Sequence, residues 1–124
     1  MKLLTEELKK EFEKFPLYSQ DGKGKETKVI CKFFNPTGAG TWLATEGSTI
    51  DGEDWEFFGF AHITDGEFGY FTLKELESIR LPFGMTIERD VNFKTGTPIV
   101  EALESNGFEV PSWLLKDEEE EGEE

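Results

Sequence analysis

The chain is poor in the residues that build covalent or metal-bound scaffolds. Its 124 residues contain one cysteine, Cys31, and one histidine, His62. A single cysteine cannot form an internal disulfide, and a zinc site needs about four nitrogen or sulfur ligands. The sequence therefore predicts no disulfide framework, no metal and no cofactor. Cys31 is expected to be a small buried side chain in a strand.

Long apolar runs are also missing. No segment reaches the roughly 18 residues that a bilayer-spanning helix requires. The start of the chain, Met1–Leu4, gives way at once to polar residues, which is unlike a signal peptide. We therefore expect a cytoplasmic protein that makes no contact with membranes.

Positive charge is absent from the middle of the chain, since no Lys or Arg occurs between Phe33 and Leu73. The formal net charge is −14, and the seven carboxylates of residues 117–124 leave −7 on residues 1–116. Binding to a phosphate backbone needs Lys and Arg to release counterions, so direct nucleic-acid binding is disfavoured. The charge instead predicts a protein partner with a basic surface. The predicted acidic interaction surface consists of Glu46, Asp51, Glu53, Asp54, Glu56, Asp65 and Glu67.

Aromatic residues are abundant, with twelve Phe, three Trp and two Tyr. They concentrate in the run from Trp55 to Ile63, which reads as a strand with apolar residues on both faces. Trp55, Phe57 and Ile63 lie on one face, while Phe58 and Phe60 lie on the other. Such a strand must be covered from both sides, so other elements have to lie above and below it.

The remaining pattern predicts an α+β fold, with a single antiparallel sheet of four to six strands and about three packed helices. Helices are expected from Thr5 to Pro16, from Leu73 to Ile79 and from Thr97 to Gly107. Residues 1–115 are expected to form one domain, and residues 116–124 a disordered acidic tail. Further strands are expected at Leu17–Gln20, Val29–Phe34, Thr41–Glu46 and Met85–Phe93, with a polar loop at Gly47–Asp54.

Few side chains are suited to catalysis. His62 could act as an acid or base with Asp65 or Glu67 orienting it, and a satisfied structural histidine is the alternative. Arg89 falls on the apolar side of its strand and would need a carboxylate partner. Glu75, Glu77 and Asp54 are the candidates for that ion pair. The alternative is a ligand pocket lined by Trp42, Trp55, Phe58 and His62, with Arg89 holding an anionic group.

Five runs of the sequence resemble one uncharacterised bacterial family, in the same order and spacing over about residues 1–95. That family is a small domain of unknown function, commonly encoded on conjugative elements, plasmids and phage-related islands. The resemblance implies a mobile-element setting, and it carries over no catalytic or binding residue. The runs are Met1–Thr5, Ala44–Gly47, Phe57–Gly59, Gly69–Glu77 and Ile87–Asp90.

Two functional hypotheses follow. The first is a small acidic protein-binding or regulatory module that antagonises a host nucleic-acid-binding protein by charge mimicry. The second is a small enzyme or ligand-binding domain that uses the pocket around His62 and Arg89. The sequence favours binding over catalysis and leaves the oligomeric state open.

Overall fold

Two antiparallel sheets and three short helices form the protein in a computed structural model that describes residues 1–115. The α+β prediction is confirmed, but the single sheet is a wrong prediction, because strands β1 and β7 form a separate pair. The strand order in the larger sheet is β5-β4-β3-β2-β6. The helices are α1 (Glu6–Lys14), α2 (Leu73–Ser78) and α3 (Ile99–Ser105). The strands are β1 (Lys28–Val29), β2 (Cys31–Phe34), β3 (Thr41–Ile50), β4 (Asp54–His62), β5 (Gly66–Thr72), β6 (Glu88–Arg89) and β7 (Thr97–Pro98).

Strand β4 is covered on both faces, as its sequence predicts. Phe57 is buried on the face covered by the N-terminal segment, α1 and α2, and Phe60 is buried on the face covered by α3 and residues 112–115. The two faces therefore carry two cores. We call them the first core, around Phe57, and the second core, around Phe60. Ile63 departs from the prediction, because it follows the last residue of β4 and is exposed.

Strand β3 is longer than predicted. It continues through Gly47 to Ile50, with a β-bulge between Ala44 and Glu46, so the predicted polar loop shrinks to residues 51–53. Glycine suits position 47 of this longer strand because there is little room for a side chain. A Cβ there would lie 2.9 Å from the Phe57 ring and 3.1 Å from the Phe12 ring. The glycine marks a close approach of α1 to the sheet rather than a turn.

The predicted strand at Leu17–Gln20 is wrong, since this segment forms a series of turns. Three of its backbone N–H groups donate to side chains instead of a strand partner, and that of Ser19 donates to the carbonyl of Pro16. Leu17 donates to the Ser48 hydroxyl, and Tyr18 and Gln20 donate to the Glu46 carboxylate. The strand predicted at Met85–Phe93 is likewise reduced to β6.

Two of the three predicted helix N-caps are confirmed. Thr5 accepts from the N–H of Leu8 at the start of α1, and Thr72 accepts from the N–H of Glu75 at the start of α2. Thr97 does not cap α3, because it belongs to β7 and its hydroxyl donates to the carbonyl of Lys94. The C-terminal stop at Gly107 is confirmed by its φ of +76°.

The helices of the described region contain six to nine residues each. None of them has the length and apolar character needed to cross a bilayer. The predicted disordered tail, residues 116–124, lies outside the described residues.

Candidate functional site

Glu46 lies inside the protein, so its predicted place on an acidic surface is wrong. Its side chain is 2% exposed, in β3 directly opposite Phe58 of β4. One carboxylate oxygen accepts the N–H of Tyr18 at 2.8 Å, and the other accepts the N–H of Gln20 at 2.7 Å. None of the ion pairs found between described residues includes Glu46. The sequence cannot reveal this, because the donors lie 26 and 28 residues upstream.

The other predicted surface carboxylates do not form one continuous patch. Asp51 and Glu53 are exposed in the turn before β4, while Asp65 and Glu67 are exposed at the turn after it. Nine residues of strand separate the turns, which corresponds to about 27 Å. Asp54 is half-buried and accepts the N–H groups of Trp55 and Lys74. Negative charge therefore collects at both ends of β4.

The five residues of the predicted ligand pocket are not brought together. Trp42 and Trp55 contribute to the first core. Phe58 and His62 project from the opposite face of β4, where they line separate cavities. Arg89 lies beyond β2, at the far edge of the sheet, beside a further cavity. The prediction of one pocket around His62 and Arg89 therefore fails, because the strand positions place these groups on different sides of the sheet.

Arg89 holds the N-terminal segment instead of a carboxylate. One guanidinium nitrogen donates to the carbonyl of Lys2 at 2.6 Å and to that of Leu3 at 3.0 Å. The predicted ion pair with Glu75, Glu77 or Asp54 is absent from the ion pairs of the described residues. Arg89 thus fixes the segment that carries the buried side chains of Leu3 and Leu4.

A cavity of about 390 Å³ lies next to Arg89 and includes Cys31 in its lining. Burial raises the pKa of the Cys31 thiol well above its usual range, and the positive charge of Arg89 offsets only part of this effect. A nucleophilic cysteine needs the thiolate, which a low pKa supplies. Cys31 is therefore the buried structural residue that its strand position predicts.

His62 is held by ring stacking. Its imidazole lies 4.5 Å from the Phe108 ring, with an angle of 7° between the planes. Asp65 and Glu109 share a cavity of about 540 Å³ with it, but neither forms a hydrogen bond or ion pair with the ring in the described residues. An acid–base catalyst usually has such an orienting partner, so this arrangement gives no support to catalysis.

Aromatic side chains line up on one face of the sheet beyond the cover of α3. The rings of Phe58 and Tyr70 are 5.0 Å apart, those of Tyr18 and Tyr70 are 6.5 Å apart, and those of Phe68 and Trp113 are 5.3 Å apart. Phe58 bridges the two ends, since its ring also lies 6.2 Å from that of Phe68. We call these five residues the aromatic face.

Three members of the aromatic face are largely open to solvent. Tyr18 is 64% exposed, Trp113 is 58% exposed and Tyr70 is 51% exposed. Tyr18 also has a φ of +74°, which is uncommon for a bulky side chain. This conformation costs about 1–3 kcal/mol, which contacts with neighbouring groups must offset. The hydrogen bond from its N–H to Glu46 is such a contact.

A cavity of about 210 Å³ opens within the aromatic face. Phe58, Phe68 and Trp113 form apolar walls, while the two acidic residues of its lining are Glu46 and Asp21. No Lys or Arg of the described residues belongs to this lining. We call it the acidic aromatic pocket.

The acidic groups influence the rim of this pocket. The pKa of the Tyr70 hydroxyl is raised, first by its hydrogen bond with Tyr18, then by partial loss of hydration. The negative charges of Asp21 and Glu46 add to the increase. The pKa of Tyr70 is therefore raised mainly by Tyr18, and the two carboxylates act in the same direction.

Sequence reasoning missed most of this site. Phe68 and Tyr70 alternate in β5 as Phe58 and Phe60 do in β4, so the hairpin pattern could have placed all four on one face. No local pattern indicates that Trp113 joins them, because its partner Phe68 lies in a distant segment of the chain.

Comparison with protein-family models matches residues 3–107 to a family described as a protein of unknown function, DUF2958. Searches of curated proteins and of solved structures gave no significant match. The match covers most of the chain and includes the three strands and the loop that build the acidic aromatic pocket, although Trp113 and Leu114 of its lining lie beyond the match. The chain therefore belongs to the DUF2958 family of proteins of unknown function.

Proposed function

We propose that this protein is a small binding module that recognises a protein partner with a basic surface through the aromatic face. The observation that carries the proposal is the cluster of exposed Tyr18, Tyr70 and Trp113 side chains beside buried and exposed carboxylates. Large rings that are exposed together favour aggregation, so their grouping on one face calls for a function.

The composition of this face supports a protein partner. Tyr and Trp are the residues most enriched at the energetic centres of protein interfaces, because they bury a large area and lose little conformational entropy. Two members of the face are held in place, since Tyr70 lies on a strand and the Glu46 carboxylate accepts the backbone N–H of Tyr18. A preorganised surface keeps more of its contact energy as affinity.

Charge supports a basic partner. Glu56 lies two residues before Phe58 in β4 and so projects from the same face of the strand, while Asp21 and Glu46 line the pocket. Carboxylates around an apolar centre attract a basic surface and repel an acidic one. A host nucleic-acid-binding protein has such a basic surface, and in a mobile-element setting antagonism of it would be a regulatory function.

The distribution of carboxylates favours contact through the aromatic face over broad imitation of a phosphate backbone. Phosphate charges follow one another every few ångströms along a nucleic acid. Here the exposed carboxylates of the two β4 turns are separated by the length of that strand. We therefore place the binding energy in the rings and assign the carboxylates to steering and selectivity.

Affinity capture with the full chain tests this proposal. Wild type would be compared with a Tyr70→Ser, Trp113→Ser variant at low salt. The matched control is Phe83→Ser, because Phe83 is 96% exposed in a loop between α2 and β6 and makes no ring contact in the described region. We expect a basic protein to be retained by wild type and by the control, and to be lost from the double variant.

Charge is tested in the same experiment. The Asp21→Asn, Glu56→Gln variant removes two charges from the aromatic face, and Glu101→Gln, Glu104→Gln removes two exposed charges from α3. We expect only the first pair to weaken retention, and raised salt to weaken it further. Retention that is lost from the Phe83 control and kept by the double aromatic variant would refute the proposed face.

A further inference from the structure

We infer that the acidic aromatic pocket receives a single cationic side chain, lysine or arginine, from the partner. This inference rests on the proposed function, because it specifies which group of a basic protein enters the aromatic face. It assigns a ligand class to the cavity formed by Phe58, Phe68, Trp113, Glu46 and Asp21.

The size of the cavity limits its occupant. Ligand sites for whole small molecules measure about 300–1,000 Å³, whereas an engineered cavity of about 150 Å³ holds one benzene molecule. At about 210 Å³ the pocket is suited to one long side chain and is too small for a typical cofactor.

The walls suit the apolar stem of such a side chain. Phe68 and Trp113 meet edge to face, with their ring planes at 64°, and Phe58 lies nearly parallel to Phe68 at 25°. Lys and Arg place their methylene groups along apolar surfaces, and their charged heads interact favourably with aromatic faces. Trp gives the strongest cation–π contact of the aromatic residues.

The charge of the lining selects the head group. Glu46 is buried, and its oxygens each accept one backbone N–H, which leaves further lone pairs on both. A buried carboxylate without a cation is unusual, because such groups are normally paired. Asp21 adds a second, exposed carboxylate. An incoming ammonium or guanidinium group would supply the missing positive charge.

Nearby alternatives fit less well. Lys23 directs its ammonium group over the ring of Phe15, 5.8 Å from its centre, and Phe15 packs against the first core. The acidic residues 117–124 have the same sign of charge as the lining and would be repelled. A neutral apolar side chain would fill the cavity but would leave the Glu46 carboxylate without a cation.

Blocked tripeptides test the inference even while the partner is unidentified. Gly-Lys-Gly and Gly-Arg-Gly would be titrated into the full chain, with Gly-norleucine-Gly as the neutral control of similar length. The readout is the NMR signal of the Trp113 indole N–H together with the backbone amides of Asp21 and Gly22. We expect saturable shifts for the cationic peptides, in the millimolar range, and at least about tenfold weaker binding of norleucine.

Variants identify the pocket. Trp113→Ala should abolish the shifts at Asp21 and Gly22, and Asp21→Asn should weaken binding about threefold to tenfold. Glu67→Gln is the matched control, because Glu67 is an exposed carboxylate of β5 that alternates onto the opposite face from Phe68. It should leave binding unchanged.

Four outcomes would overturn the inference. Equal binding of norleucine would make the pocket a neutral apolar site, and loss of binding in Glu67→Gln would indicate non-specific charge attraction. Lys116 follows Leu115 in the sequence and could compete for the pocket. Binding that appears only in a Lys116→Ala variant would show that the pocket takes this lysine of the same chain. If the tripeptides fail while capture of a basic protein still depends on Tyr70 and Trp113, the pocket inference falls and the proposed function stands.

Discussion

At the residue scale, Gln20 connects the turns of residues 17–22 to the sheet. Its buried amide nitrogen donates to the carbonyls of Lys28 and Thr45, and its oxygen accepts the N–H of Lys28. With Glu46 receiving the N–H groups of Tyr18 and Gln20, a largely irregular segment acquires fixed backbone positions. The position of Tyr18 in the aromatic face depends on this network.

Removal of the Gln20 amide should therefore destabilise the protein. Gln20→Ala leaves three backbone groups without a partner, and each buried unsatisfied group costs about 1–3 kcal/mol. Because neighbouring losses are not additive, we expect the free energy of unfolding to fall by about 3 kcal/mol in urea denaturation. Asp21→Ala, at the exposed next residue, should change it by less than about 0.5 kcal/mol. Equal effects of the two substitutions would contradict the proposed network.

Cys31 gives a prediction about pH. Its pKa is raised in the folded protein, mainly by burial, whereas the unfolded thiol ionises near pH 8.5. Above that pH the unfolded state loses the proton while the folded state keeps it, so stability falls as pH rises. The contribution of this one group is about 1.4 kcal/mol per pH unit. Below pH 8 it should have no effect on the pH dependence.

The measurement is the free energy of unfolding from pH 8 to pH 10.5 for wild type and Cys31→Ala. Cys31→Ala should be less stable at pH 8 because it leaves a cavity, and its stability should decline less steeply with pH. A parallel decline in the two proteins would show that Cys31 does not remain protonated in the fold. Rapid alkylation of native Cys31 at pH 8 would lead to the same conclusion.

At the element scale, the centre of the sheet depends on a glycine. Gly59 of β4 lies between Ala44 of β3 and Gly69 of β5. A Cβ at Gly59 would clash with the carbonyl oxygen of Leu43, whereas a Cβ at Gly69 would meet nothing within 4 Å. The two glycines are therefore partners in the sheet with different steric requirements.

We expect Gly59→Ala to destabilise the protein by about 3 kcal/mol or more, because the clash is with backbone and cannot be relieved by a rotamer change. Gly69→Ala should be neutral or stabilising by up to about 1 kcal/mol, because it restricts the unfolded chain without strain. Thermal and urea denaturation of the two variants would decide. Similar stabilities of the two variants would show that β3 and β4 do not approach as closely as described.

Much of the element pattern was readable from sequence. The two apolar faces of β4 and the caps at Thr5 and Thr72 are local, so the sequence predicted them correctly. The errors arise where contacts between distant segments decide. Gly47 lies within a strand, below Phe12 of α1, and not in the predicted loop. Glu46 is buried, and its carboxylate accepts backbone N–H groups of the turns at residues 17–20. Neither fact leaves a signal in the neighbouring residues.

At the scale of the whole molecule, the two faces of the sheet differ in how completely they are covered. The first core, with Phe12, Phe33 and Phe57, is covered by the N-terminal segment, α1 and α2. The second core is covered by α3 and residues 112–115 only in part, which leaves Tyr18, Tyr70 and Trp113 exposed beside the acidic aromatic pocket. Both faces contain a buried core, and binding is proposed for the uncovered part of the second face.

The candidate site was less predictable than the fold for the same physical reason. Composition and the base-free span give the net charge, but they do not indicate where the charge lies. The structure puts Glu46 inside and separates the turn carboxylates by the length of β4. Trp113 enters the site from the end of the described chain, and only the folded chain brings it to Phe68.

Hydrogen–deuterium exchange of the full chain, with and without a basic protein retained in the capture experiment, shows which surface of the protein the partner covers. We predict slower exchange on binding in residues 17–22, 66–72 and 112–115, with no change in α1, which lies on the opposite side of the sheet. Protection confined to α1 and α2, or to the loop around Phe83, would contradict the assignment of the aromatic face as the binding surface.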